Sequence, residues 1–273
     1  KQVKVHAIPA FTDNYIWMLH DGRHAVVVDP GDAGPVEAAL AEMGLSLNAI
    51  VLTHLHYDHC WGVPALRERW PVPVYRPVLN DYDRATHPPF PKPGTVPLDC
   101  VTHPVGDGDR VMLGALRTEL TVIAVPGHTR GHLAFWDRAR ERVFTGDSLF
   151  SGGCGLVFDS LSDMTQSLAR LAGLPEQTKV YCGHEYTLAN LRFAMAGDPD
   201  RGMGRFQEGY DLQRRIGTEE NLPIYTDMRA AILARAGRHA EAMRLTEDAI
   251  AKSQSVGQLF WLAELYRSRA SLA

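Results

Sequence analysis

Three histidines and an aspartate fall within six residues, His54-Leu55-His56-Tyr57-Asp58-His59, directly after the apolar run Ile50-Val51-Leu52-Thr53. Three more segments end an apolar, strand-like run with a turn and then a residue able to bind a metal. They are Ile123-Ala124-Val125-Pro126-Gly127-His128, Val143-Phe144-Thr145-Gly146-Asp147 and Val180-Tyr181-Cys182-Gly183-His184. Single histidines in such places are ordinary polar loop residues, but a cluster this dense after a strand is a metal signature. His54, His56, Asp58, His59, His128, Asp147 and His184 are too many ligands for one four-coordinate ion. They suit two ions that share one carboxylate.

If the chain stays extended through His54 and His56, both side chains point to one face and grip one ion. Asp58 and His59 follow where the chain must change direction, with Gly62 close behind, and so turn toward a second ion. His128 and His184 then add one imidazole to each, and Asp147 bridges. Imidazoles and carboxylates suit zinc, with iron and manganese as alternatives, better than magnesium or calcium. Cys60 beside His59 is not needed as a ligand.

Strands and helices that alternate up to about residue 200 must place these residues. Lys1–Val5 reads as an edge strand and Ala25–Gly31 as a short β-branched run stopped by a turn. Pro35–Met43 reads as a helix with proline at its start and Gly44 at its end. Ile50–Thr53 is the next strand, Pro64–Trp70 a helix and Val72–Tyr75 a strand. Residues 76–100 are proline-rich without a period and read as an irregular insertion. Strands resume over Arg110–Leu113, Leu116–Val125, His132–Trp136, Arg142–Thr145 and Lys179–Cys182, with helices over Leu161–Leu171 and Tyr186–Ala196. This order implies an α/β fold of two mixed sheets packed together, helices outside, and the ligands gathered at the strand tips. Met228–Ala236, Ala240–Lys252 and Gln258–Ala270 read as three further helices.

The chain of 273 residues carries a formal charge of −4 and a pI near 6.3, which gives no reason to expect nucleic-acid or membrane binding. No apolar stretch approaches the roughly 20 residues that span a bilayer, and the first residues lack the apolar run of a signal peptide. A cytoplasmic location is the expectation. Cys60, Cys100, Cys154 and Cys182 form no C-x-x-C pair, so neither a structural zinc nor a disulfide framework is expected. His132 reads as a supporting residue near His128, and His6, His20, His24, His87, His103 and His239 as surface or loop residues.

Thr53-His54-Leu55-His56-Tyr57-Asp58-His59 resembles the signature of the metallo-β-lactamase superfamily. Further blocks resemble its glyoxalase II (hydroxyacylglutathione hydrolase) family: Pro9-Ala10-Phe11-Thr12-Asp13-Asn14-Tyr15, Val28-Asp29-Pro30-Gly31, Pro126-Gly127-His128-Thr129, Gly146-Asp147-Ser148-Leu149-Phe150, Gly153-Cys154-Gly155 and Cys182-Gly183-His184-Glu185-Tyr186-Thr187. The likeness covers roughly residues 3–200. It implies an αβ/βα sandwich over residues 1–185 followed by a helical region, 186–273. His54, His56 and His128 would hold the first ion, Asp58, His59 and His184 the second, and Asp147 both. Asp29 would steady the ligand loop, or serve only as the turn former of Asp-Pro-Gly. A water between the ions would lose a proton near neutral pH and, as hydroxide, attack a thioester carbonyl, with Asp58 in a weaker secondary role of orienting it or moving its proton. The implied substrate is a small-molecule thioester, S-2-hydroxyacylglutathione such as S-D-lactoylglutathione.

The likeness weakens where glutathione would bind. Leu156 stands where the family usually carries a lysine or arginine. Phe158 keeps an aromatic without the hydroxyl, and Tyr186 matches a tyrosine that contacts glutathione. The family's basic C-terminal block is missing. The three helices there, partly similar to a tetratricopeptide pair, would leave the protein a monomer or a dimer through its tail. Arg214, Arg215, Arg229, Arg235 and Arg238 would replace the missing cations or line a solvated face. Another thioester, a lactone or a β-lactam as substrate, or a mono-iron persulfide dioxygenase, are the alternative readings.

Overall fold

The computed structural model describes residues 2–78, 102–157, 160–190, 226, 230, 233–234, 237–255 and 262–272. The chain divides into two compact units, Lys1–Thr187 and Leu188–Ala273.

Among the described residues, the first unit holds eleven strands in two mixed sheets. β1 (Lys4–Ala10), β2 (Asn14–His20), β3 (His24–Val28), β4 (Ser46–Val51), β5 (Val74–Pro77) and β6 (His103–Val105) lie in that order across one sheet. Its first two pairings are antiparallel and the rest parallel. β7 (Arg110–Leu113), β8 (Thr118–Ala124), β9 (Leu133–Asp137), β10 (Arg142–Gly146) and β11 (Lys179–Cys182) form the other in the order β11-β10-β9-β8-β7. There only β10 and β11 run parallel.

Alternation along each strand explains why both faces of both sheets are covered. Trp17, Leu19, Val26, Val28, Ala49 and Val51 of the first sheet meet Val111, Leu113, Leu120, Val122, Phe135 and Phe144 of the second in one buried layer. The intervening residues Ile16, Met18, Val27 and Ile50 pack outward on Val36 and Leu40 of α1 (Ala33–Met43) and Val63 and Leu66 of α3 (Val63–Arg69). Behind the second sheet, Ile123, Ala134 and Val143 pack with Leu171 of α4 (Leu161–Ala172). Asp32 caps α1 by accepting from the Gly34 N–H at 2.9 Å, and Gly44, at φ 63°, ends it. Ser160 caps α4.

The two sheets are laced together at the ligand end. Thr53 O accepts from Leu133 N at 2.9 Å, Gly183 O from Tyr15 N at 2.8 Å, and Cys182 O from Trp17 Nε1 at 2.8 Å. Asn14 and His184 form an isolated antiparallel bridge.

Several expectations shift. β2 is buried at every position, so it shows no polar alternation, and the sequence reading passed over it. β1 runs on to Ala10, whereas β4 stops at Val51, leaving Thr53 and His54 outside the strand. The expected Leu116–Val125 strand opens with a 3₁₀ turn at Gly114–Leu116. β5 takes Arg76 and Pro77 from the expected insertion; residues 79–100 lie outside the described set. His20, expected at the surface, is buried. Helix begins at residue 187, and residues 191–196 of that expected helix lie outside the described residues, as does most of Met228–Ala236. In the second unit, α5 (His239–Ser255) is longer than the Ala240–Lys252 expected, α6 (Leu262–Leu272) starts within the expected Gln258–Ala270 and runs two residues past its end, residues 258–261 lying outside the described residues, and Ala249, Ile250 and Leu265 pack together.

Candidate metal centre

The run His54–His59 begins three residues past the end of β4. His54 lies in the loop, His56 is extended (φ −63°, ψ 147°), and α2 (Tyr57–Cys60) then turns Asp58 and His59 back under the cleft. His128, Asp147 and His184 arrive just past the ends of β8, β10 and β11. His54, His59, His128, Asp147 and His184 are all buried, while His56 and Asp58 are partly open to solvent.

The candidate ligand atoms gather in the groups His54-His56-His128 and Asp58-His59-His184, each with its atoms within 4.8 Å of one another, and Asp29 forms a third such group with His54 and His59. In the first, His56 Nδ1 lies 3.2 Å from His54 Nε2 and 3.0 Å from His128 Nε2. In the second, His59 Nε2 and His184 Nε2 are 3.2 Å apart, and Asp58 Oδ2 is 3.5 and 3.4 Å from them. Asp147 joins the groups. Its Oδ2 lies 3.4 Å from His128 Nε2 and 3.3 Å from His184 Nε2, and its Oδ1 3.4 Å from His59 Nε2.

Four of these imidazoles have their outer nitrogen tied to an acceptor, which fixes the tautomer. His128 Nδ1 donates to Leu156 O at 2.7 Å, His59 Nδ1 to Asp29 Oδ2 at 3.2 Å, and His184 Nδ1 to Asp13 Oδ1 at 2.8 Å. Thr53 Oγ1 donates to Asp29 Oδ2 at 2.7 Å and therefore accepts from His54 Nδ1 at 3.0 Å. In the neutral rings every inner Nε2 is then a lone pair facing another nitrogen or an oxygen. Such a set is mutually repulsive unless cations lie between its members.

That is the test of fit to a metal, and the spacing passes it. Ligand atoms sharing a tetrahedral ion at about 2.0–2.1 Å sit roughly 3.3 Å from one another. Asp147 Oδ1, buried and without a hydrogen-bond partner among the described residues, adds an acceptor with no other use. The electrostatics agree. Burial opposes charge on His184, but hydrogen bonds that the imidazolium donates to Asp147 and Asp58 outweigh it and push the imidazole up to about 10. Burial likewise opposes charge on His59, and Asp147 and Asp29 overcome it. A cation is wanted here, and a proton partly serves. Burial lowers His54, farther from the acids and crowded by His59 and His132.

Residues outside the seven complete the frame. Asn14 Nδ2 donates to Asp58 Oδ2 at 3.0 Å and to Asp58 O at 3.3 Å. His132 Nε2 accepts from Asp147 N at 3.1 Å and stacks on His54 at 4.5 Å, the supporting place expected of it. Asp13 and Asn14 sit in the Pro9–Tyr15 block, but no spacing ties that block to the ligands. Asp29 takes a left-handed φ of 53° before Pro30, and its carboxylate also accepts from Thr53 N at 2.7 Å. Gly183 is demanded by close approach, because a Cβ there would press on Asp147 Oδ1 and lie 2.8 Å from His59 Cε1.

Near the cage, the Cys60 thiol is buried and the Cys182 thiol half-buried. Cys60 Sγ donates to His56 O at 3.2 Å, and burial raises its thiol. Cys182 is pushed up to about 12, chiefly by burial. Cys154, by contrast, is exposed. Tyr186 stacks on His184 at 4.9 Å with rings 5° apart, and burial, then Asp13, raise its phenol to about 12. Leu156 points its side chain outward at 69% exposure while its carbonyl braces His128. Phe158, Arg214, Arg215, Arg229 and Arg235 lie outside the described residues; Arg238 is exposed and paired with Glu241 at 2.6 Å.

Two packed mixed sheets with a histidine and aspartate cage at the strand tips define a metallo-β-lactamase fold, and the superfamily's model matches residues 10–184. Among solved structures, BLEG-1, a B3 metallo-beta-lactamase, is similar with a TM-score of 0.54 and 29% identity, covering 67% of this chain and 92% of that one. TTHA1623, solved in a di-iron-bound form, gives 0.53 and 31%, with 67% and 92% covered. A hydroxyacylglutathione hydrolase of Aliivibrio salmonicida is 46% identical over 198 residues, 72% of this chain and 71% of its own. That of Alkalilimnicola ehrlichii is 50% identical over 200 residues, with 72% and 71% covered. The chain belongs to the hydroxyacylglutathione hydrolase, or glyoxalase II, family of the metallo-beta-lactamase superfamily.

Proposed function

We propose that the protein hydrolyses the thioester of an S-2-hydroxyacylglutathione, S-D-lactoylglutathione being the test case, to a 2-hydroxy acid and glutathione. The observation that carries this is Asp147 standing between two groups of inward-facing ligands in a chain 39–50% identical to hydroxyacylglutathione hydrolases. His54, His56 and His128 would hold one divalent cation and Asp58, His59 and His184 the other, with Asp147 shared; zinc is the first choice, iron or manganese the next. Such a pair supplies Lewis acidity and a water made nucleophilic at neutral pH.

The chain's own residues supply orientation and charge. Thr53, Asp29, Asp13 and the Leu156 carbonyl hold four imidazoles in the tautomer that presents Nε2 inward. Asp58 is held ionised: burial opposes this, but bonds to His184 and Asn14 and the charge of His59 outweigh it. It is therefore a ligand and an acceptor, and at most a transient carrier of a proton. Tyr186, a neutral phenol held rigidly on His184, would donate to the glutathionyl part of the substrate.

The hydrolase relatives do not favour the dioxygenase alternative. The lactone and lactam alternatives are arms of the test. Purified protein of measured metal content is given S-D-lactoylglutathione, a simple thioester, a homoserine lactone and nitrocefin, and kcat/KM is compared. The glutathione thioester should be preferred; a preference for any other compound, or oxygen uptake with one iron per chain, would overturn the proposal.

A further inference from the structure

The two halves of the cage differ in what stands behind four of their imidazoles, two in each half. His54 rests on a threonine hydroxyl at 3.0 Å and His128 on a peptide carbonyl at 2.7 Å, both neutral. His59 rests on the Asp29 carboxylate at 3.2 Å and His184 on the Asp13 carboxylate at 2.8 Å. The second half also owns a carboxylate ligand, Asp58, held by Asn14, whereas the first has imidazoles alone. Asp147 reaches both halves at 3.3–3.4 Å and so does not distinguish them.

A carboxylate against an imidazole's outer N–H makes the ligand more basic and adds negative charge near the cation. Asp29 also lies within 4.8 Å of a His54 nitrogen, but its hydrogen bonding there runs through the neutral Thr53 hydroxyl. Asp13 serves His184 directly. We propose that the halves load unequally: Asp58, His59 and His184 take their cation first and release it last, with Asp13 as the positioning residue that sets this order. The inference rests on the two-cation reading of the cage.

Full-length protein carrying two zinc equivalents is dialysed against rising dipicolinate, and retained zinc is measured by mass spectrometry. Crystals of the half-stripped protein are examined by anomalous scattering at the zinc edge. Two steps of loss are expected, with the remaining zinc at Asp58, His59 and His184. In Asp13→Asn the later step should move to roughly 10–100-fold lower chelator, with the earlier step unmoved and Asp13→Glu recovering part of the shift. Remaining zinc at His54, His56 and His128, loss in one step from both halves, or an unmoved later step in Asp13→Asn would overturn the order. A chain that retains no zinc at any step would overturn the two-cation reading itself. The wild-type scattering decides the order even if a variant folds poorly.

Discussion

The floor and the rim of the cleft are built on opposite plans. On the floor, every ligand is buried or half-buried and four imidazoles are tied at the outer nitrogen by Thr53, Asp29, Asp13 and the Leu156 carbonyl. At the rim, Leu156 contributes only its backbone inward, and its side chain stands 69% exposed. The floor is over-determined, so any change there must displace something else. The rim leaves room for change, and substrate choice is the property expected to vary with it.

The sharpest way to break this contrast is at Asp147, the residue common to both halves of the cage. Asp147→Ala should lose both cations together and cut kcat/KM by about 10³-fold or more, because the oxygens that join the groups are gone. Metal analysis alongside the assay checks this. An active variant with two ions would show that Asp147 joins nothing. Next comes Gly183→Ala, which adds a Cβ against Asp147 Oδ1 and 2.8 Å from His59 Cε1. A misplacement of this size should cost about 10²-fold in rate while circular dichroism stays native. An unchanged rate would mean that the floor can yield after all.

Asp29→Asn tests the bracing directly. It puts an amide where one carboxylate serves Thr53 N, Thr53 Oγ1 and His59 Nδ1. Metal affinity should fall roughly 10–100-fold, and Tm should drop, since a buried donor left unpaired costs about 1–3 kcal/mol. A chelator titration and a thermal melt read the two effects separately. Loss of stability with full metal affinity would leave Asp29 as the turn former alone.

What could be read from the sequence follows the same division. The seven candidate ligands were legible because they follow four strands, four of them after β4 and one after each of β8, β10 and β11, and four strand tips at one end of a sandwich have nowhere else to meet. The braces were not, because they come from distant parts of the chain: Asp13 and His184 are 171 residues apart and meet only where β2 and β11 join the sheets. β2 itself gave no signal because helices cover one of its faces and the second sheet the other. The rim was legible only as a departure from the family, and Phe158 lies outside the described residues.

Leu156→Lys is the smallest change and the one that sharpens the contrast most. The position costs nothing to the floor, since the carbonyl that braces His128 belongs to the backbone and survives the substitution. An exposed cation facing a carboxylate of the tripeptide is worth roughly 0.2–1 kcal/mol, which corresponds to at most about fivefold in kcat/KM for S-D-lactoylglutathione. The gain should appear in KM, shrink with added salt, and be missing with a simple thioester that carries no such carboxylate. Metal content should not move. An equal change on both substrates would mean that residue 156 acts through His128 and belongs to the floor; no change on either would mean that glutathione does not pass this side of the rim.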